Sequence, residues 1–103
     1  MNTKVNDGIN DESKRKIIGV IATIIPEASI YLFGSRARGT HSEWSDIDIA
    51  LDSGEKISRH RIGEALSMLE ASNIPYKVEI VDFNSVSENM RASILDERVL
   101  WKK

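Results

Sequence analysis

Two aspartates in a row of alternating residues carry the clearest chemical signal in the sequence. Asp46-Ile47-Asp48-Ile49-Ala50-Leu51 alternates with period two, so Ile47, Ile49 and Leu51 share one face of a strand while Asp46, Asp48 and Ala50 share the other. Residues i and i+2 of a strand lie about 6.6–7 Å apart and project the same way. Their carboxylates can converge on one cation, or on a pair of cations roughly 3.5–4 Å apart. Hard oxygen donors select Mg²⁺ or Mn²⁺ over zinc. Aspartate is depleted in strands, and two on one face repel each other, a cost that a cation removes. A solvated sheet face with two incidental acids is the plain alternative for D-x-D taken alone.

A third acid follows from parity. In Tyr76 to Val81, the side chains of Tyr76, Val78 and Ile80 share a face and those of Lys77, Glu79 and Val81 the opposite one. If the first set enters the core, Glu79 looks the same way as Asp46 and Asp48. Asp82 has the wrong parity and sits where a turn-former is expected.

The segment Gly34-Ser35-Arg36-Ala37-Arg38-Gly39 follows a β-branched and aromatic run, Ser29–Phe33. Gly34 permits close backbone approach, and free N–H groups with the Ser35 hydroxyl can cradle an anion. Arg36 and Arg38 can add charge-assisted hydrogen bonds to phosphate. A P-loop is excluded, because Thr40-His41 stands where Lys-Ser/Thr is required. His41 and His60 lie in polar stretches and read as surface histidines.

The elements that must position these residues are legible around them. Ile17, Ile18, Ile21, Ile24 and Ile25 repeat at helical spacing behind Asn10 or Asp11 as cap, and Pro26 stops the run. Ile62, Ala65, Leu66 and Leu69 form a second helical stripe after Ser58, closed by Asn73 and Pro75. Ser85 and Glu88 match a capping box for a helix carrying Val86, Met90, Ile94 and Leu95. Val99-Leu100-Trp101 reads as a last edge strand or an exposed patch that packs on a partner. The pattern implies an α/β (α+β) fold, a mixed sheet of three to four strands covered by helices.

At 103 residues the chain is expected to be a single domain, 1–103, with residues 1–10 a mobile tail. Its 14 basic and 16 acidic residues leave a net charge of −2, which argues against a dedicated nucleic-acid surface. Without cysteine there is no disulfide framework and no thiolate zinc site. No apolar run reaches the roughly 20 residues of a membrane span, and the polar, acidic start does not resemble a signal peptide. The expected location is the cytoplasm.

Taken together, Ser35, ten residues, and Asp46-x-Asp48 spell GS-x10-D-x-D directly after a strand, with an acidic residue on a later strand. This combination resembles the DNA polymerase β-type nucleotidyltransferase superfamily. FGSRARGTHSEWSDIDIAL and PYKVEIVDF look like its minimal bacterial and archaeal members, over about residues 29–100. The resemblance implies a nucleotidyltransferase fold in which Gly34, Ser35, Arg36 and Arg38 hold the triphosphate. It implies that Asp46, Asp48 and Glu79 bind two Mg²⁺ (or Mn²⁺) ions. The family more often has Asp where Glu79 stands, so Glu79 is expected as ligand or base. The implied reaction moves NMP, AMP from ATP, onto a hydroxyl. Minimal members are typically paired with a helical HEPN-type protein, and some silence it as antitoxins by adenylylating a tyrosine. The rivals are a non-catalytic nucleotide-binding or masking module and a small-molecule, antibiotic-type nucleotidyltransferase.

Overall fold

The computed structural model describes residues 6–103. Elements follow in the order α1 (Asp11–Ile24), β1 (Ser29–Phe33), α2 (Ser35–Arg38), β2 (Ile47–Asp52), α3 (Arg59–Ala71), β3 (Val78–Asp82), α4 (Glu88–Glu97) and β4 (Val99–Lys102). The strands form one mixed sheet in the order β3-β2-β1-β4. β1 runs antiparallel to both β2 and β4, whereas β2 and β3 are parallel. The α+β class and the four-strand sheet agree with the pattern expected from the sequence.

Local chemistry sets the element ends. Asn10 Oδ1 accepts from the Ser13 N–H at 2.8 Å, so Asn10 is the cap of α1. Ser58 Oγ accepts from the Arg61 N–H at 3.3 Å and opens α3. At α4 the expected capping box is displaced by two residues. Ser87 Oγ, not Ser85, accepts from the Met90 N–H. The Ser85 hydroxyl donates instead to Asp82 Oδ2 at 2.7 Å, and that same carboxylate oxygen accepts from the buried Ile57 N–H. Asp82 thus fastens the turn after β3, as its parity suggests.

The two faces of the sheet differ. Ile30 and Leu32 of β1 and Ile47, Ile49 and Leu51 of β2 pack with Ile17, Ile21 and Ile25 of the α1 region and Leu69 of α3. On the other face Ala50 packs with Phe83 and Ile94, flanked by Tyr31, Phe33, Val81 and Val86. α4 covers only that part, and the end carrying Asp46, Asp48 and Glu79 stays open.

Three expectations change at the margins. Strand β3 begins at Val78 rather than Tyr76, and the Tyr76 hydroxyl donates to the Gly8 carbonyl at 3.0 Å. Of the expected mobile tail, residues 1–5 lie outside the described residues, but 7–10 are fastened. Asp7 O accepts from Arg36, Gly8 O from Tyr76, and Asn10 caps α1. Val99–Trp101 is an edge strand, not a free apolar patch: Trp101 and Val99 pack against the core and only Leu100 is well exposed. Among the described residues no helix is long and apolar enough to cross a membrane.

Candidate active site

The site is built where β1 ends. Gly34 leaves the strand with φ 78° and ψ −160°, a conformation that disfavours any residue with a side chain. Its Cα faces the Asp48 carboxylate so closely that a Cβ there would collide with Asp48 Oδ2. Antiparallel pairing sets Phe33 opposite Asp48, which brings the turn against β2. Ser35 then opens the four-residue α2, and Gly39, at φ 77°, ends it with its N–H on the Ser35 carbonyl. Gly34 and Asp48, distant in sequence, are therefore neighbours in space.

Asp48 also pairs across the parallel ladder with Glu79, which places both on one face, as parity requires. Burial, reinforced by the negative charges of Glu79 and then Asp46, holds the Asp48 carboxyl above the ordinary carboxylate range. Asp46 sits just before β2 and is half-buried. Glu79 is exposed and leans toward Lys77, with Oε1 3.6 Å from Nζ. The three acids share a face, yet no group of three His, Cys, Asp or Glu residues among those described is drawn together as a metal-holding set. Asp46 and Asp48 are the closer match to what divalent magnesium or manganese needs: hard oxygens, one of them destabilised as an anion by its surroundings.

The two arginines part company. Arg38 is half-exposed and pairs with Glu97 at 2.7 Å. Arg36 is only 1% exposed and does not reach toward a phosphate position. Its Nε and Nη2 donate to the Ser45 carbonyl at 3.1 and 2.9 Å, and Nη1 donates to the Asp7 carbonyl at 2.8 Å. The Tyr76 ring lies 5.0 Å from its guanidinium. Arg36 is thus a pin for the loop that delivers Asp46, which corrects its expected place in the phosphate cradle. The signal was in the spacing: positions i and i+2 of a helical turn diverge by about 200°, so one ligand cannot collect both.

Two residues escaped the sequence reading. Glu97 Oε1 accepts from the Gly34 N–H at 2.9 Å while Oε2 takes Arg38, a contact across 63 positions that no local pattern announces. Trp44, two residues before Asp46, is 85% exposed; an isolated aromatic in a polar loop has no period to betray it. His41 is half-buried, not a freely solvated histidine, and its buried Nδ1 is without a hydrogen-bond partner.

Residues 15–103 match the polymerase beta nucleotidyltransferase family. The chain belongs to that family. As a nucleotidyltransferase it is 30% identical, over 84% of its length and 75% of the relative's, to the probable protein adenylyltransferase MntA of Haemophilus influenzae. Its fold superposes on a chain of a crystallised toxin–antitoxin with AMP-PNP at a TM-score of 0.73 and 29% identity, covering 87% of this chain and 73% of the other. A tri-AMPylated HEPN toxin of Shewanella oneidensis in complex with its MNT antitoxin gives 0.68 and 26%, over 89% and 71%.

Proposed function

We propose that residues 1–103 act as one nucleotidyltransferase domain, the antitoxin of a cytoplasmic two-protein pair. It moves AMP from ATP onto a tyrosine hydroxyl of a helical HEPN-type partner. The observation that carries this reading is the close approach of Gly34 to Asp48, which sets the turn after β1 against one acid of the pair without intervening bulk. The similar chains that are named as protein adenylyltransferase, or crystallised with a HEPN toxin, support the choice of acceptor.

In this reading Asp46 and Asp48 hold Mg²⁺, which when bound neutralises the triphosphate and makes the acceptor hydroxyl more acidic. Gly34 and Ser35 receive the phosphates. The acceptor oxygen bonds to the α-phosphorus as its bond to the β-phosphate bridging oxygen breaks, and pyrophosphate leaves. Glu79, exposed beside Asp48, takes the hydroxyl proton. Arg36 fixes the height of the Asp46 loop, and positioning of this kind is the larger part of phosphoryl-type catalysis. Trp44 stands on that pinned loop as an aromatic anchor for the partner, a role for which tryptophan is enriched.

The test is to incubate the chain, its co-expressed partner, Mg²⁺ and ATP labelled at the α-phosphate. The expected result is label on a partner tyrosine, with a loss of at least about a hundredfold in Asp48→Asn, on the scale of deleting one charge-stabilising group. Asp48→Asn leaves the complex intact. Full neutralisation of the partner with Asp46 and Asp48 both replaced would overturn the enzymatic reading in favour of a masking module. Label on a small molecule instead would replace the acceptor.

A further inference from the structure

We infer that Glu97 is an internal stand-in for phosphate, which holds the donors of the cradle and is exchanged when a polyphosphate enters. The inference rests on the nucleotidyltransferase reading of the same junction. It concerns the group within the chain that competes for that junction.

Glu97 holds both donors at once. Oε1 accepts from the Gly34 N–H at 2.9 Å and Oε2 from Arg38 Nη1 at 2.7 Å. A carboxylate bridging a backbone N–H and a guanidinium presents two anionic oxygens, which is also how a phosphate group would meet that pair. The glutamate is the more buried partner, its side chain 16% exposed against 49% for Arg38. It stands in the last turn of α4, preceded by Asp96, with no basic residue in that turn. Negative charge at a helix C-terminus opposes the helix dipole, so the local helix does not favour this placement. The two bonds to Gly34 and Arg38 do.

Room for the exchange is present. Arg38 and Glu97 line an open cleft of about 420 Å³ with Phe33, Gly34, Met90 and Ser93, which leaves space beside the pair for an incoming anion. Glu97 also adds negative charge to a face that already carries Asp46, Asp48 and Glu79. Its displacement by a ligand that arrives with cations would exchange an unmatched charge for a neutralised one.

The probe is inorganic tripolyphosphate, which carries neither base nor transferable nucleotide and so reads the cradle apart from the reaction. Calorimetric titration of Glu97→Gln is expected to show about tenfold tighter binding than wild type, or about 1.4 kcal/mol. The combined change with Arg38→Gln is expected to lose that gain. In the wild-type chain the Gly34 amide resonance is expected to shift as tripolyphosphate saturates, because its acceptor changes from carboxylate to phosphate. Equal or weaker binding by Glu97→Gln would make Glu97 a support for Arg38 and overturn the exchange. So would a Gly34 resonance that stays still while the anion binds, or absence of binding by both forms. Failure of AMP transfer with these results intact would count against the proposed reaction alone.

Discussion

The two faces of the sheet spend the same strands on opposite ends. On the face under α1 and α3, β2 contributes Ile47, Ile49 and Leu51, all fully buried. Displaced by one residue, the same strand contributes Asp48 to the other face, where burial and like charges make its ionisation costly. Stability and chemistry are thereby separated by the pleat, not by distance along the chain. A closed apolar face supplies the free energy that lets the open face keep groups unfavourable to folding. Substitutions on one face are therefore expected to have signs and magnitudes that the other face does not share.

The largest expected effect lies on the closed face. Ile49→Ala leaves a cavity against α1 and α3 and is expected to cost about 2–5 kcal/mol, read by chemical denaturation. Tripolyphosphate affinity of the folded fraction is expected to stay at the wild-type value. If affinity falls in parallel, the faces are coupled and the separation fails.

Next comes Arg36, which joins the two faces by fastening the Asp46 loop. Arg36→Lys replaces a planar fork by a point charge and strands the Ser45 or Asp7 carbonyl. About 2–3 kcal/mol of stability is expected to be lost, in line with charge-assisted bonds from a buried group. Arg38→Lys, at the half-exposed pair with Glu97, is expected to change stability by less than about 1 kcal/mol. Equal effects at both positions would show that Arg36 is no pin.

On the open face the sign reverses. The Asp48 carboxyl in the folded chain titrates above its unfolded value of 3.8, so ionising it costs stability. Metal-free Asp48→Asn is therefore expected to melt a few degrees higher at neutral pH, about 0.5–1 kcal/mol after allowance for solvent screening. The gain is full above the raised value and fades as the pH falls to the ordinary range, where the wild-type carboxyl is protonated in both states. A variant less stable than wild type at pH 7 would mean that Asp48 is a structural acid.

The smallest effect returns to the closed side. Glu27 joins Arg61 of α3 by a hydrogen-bonded ion pair, and the guanidinium brings the Glu27 carboxyl down to about 2. This depressed value contributes stability above pH 4.5 that is lost as the pH falls toward 2. Glu27→Gln is expected to lower the melting temperature slightly at neutral pH, with the difference from wild type fading as the pH falls toward 2, and the effect is small throughout because the pair is exposed. A larger change at pH 3 than at pH 7 would contradict the sign.

What was legible in the sequence follows the range of the forces involved. The isoleucine stripe of α1, the alternation of β2 and the parity of Glu79 are local periodicities, and the structure carries each of them unchanged. The motif of Gly34, Ser35, Asp46 and Asp48 was readable as spacing, although its reason, a glycine with no room for a Cβ beside Asp48, exists only in three dimensions. Where one residue type had two possible partners, local pattern chose wrongly. Ser85 matched a capping box but its hydroxyl goes to Asp82, and Arg36 matched a phosphate ligand but serves the Ser45 and Asp7 carbonyls. Glu97 was invisible, since its partner Gly34 lies 63 residues away and nothing periodic connects them.

The position of β3 at the rim of the sheet has a further consequence, for solubility. One side of β3 pairs with β2, and among the described residues no strand pairs with its other side. Such an edge is a template on which a second chain could add, and Val78 and Ile80 give it the composition of a sticky one. Lys77 and Glu79, both exposed and alternating with those residues, put charge onto every incoming register. The acid that serves the open face thus also guards the edge against stacking. Replacing Glu79 by an apolar residue would be felt first as aggregation during expression, before any assay of the reaction could be run.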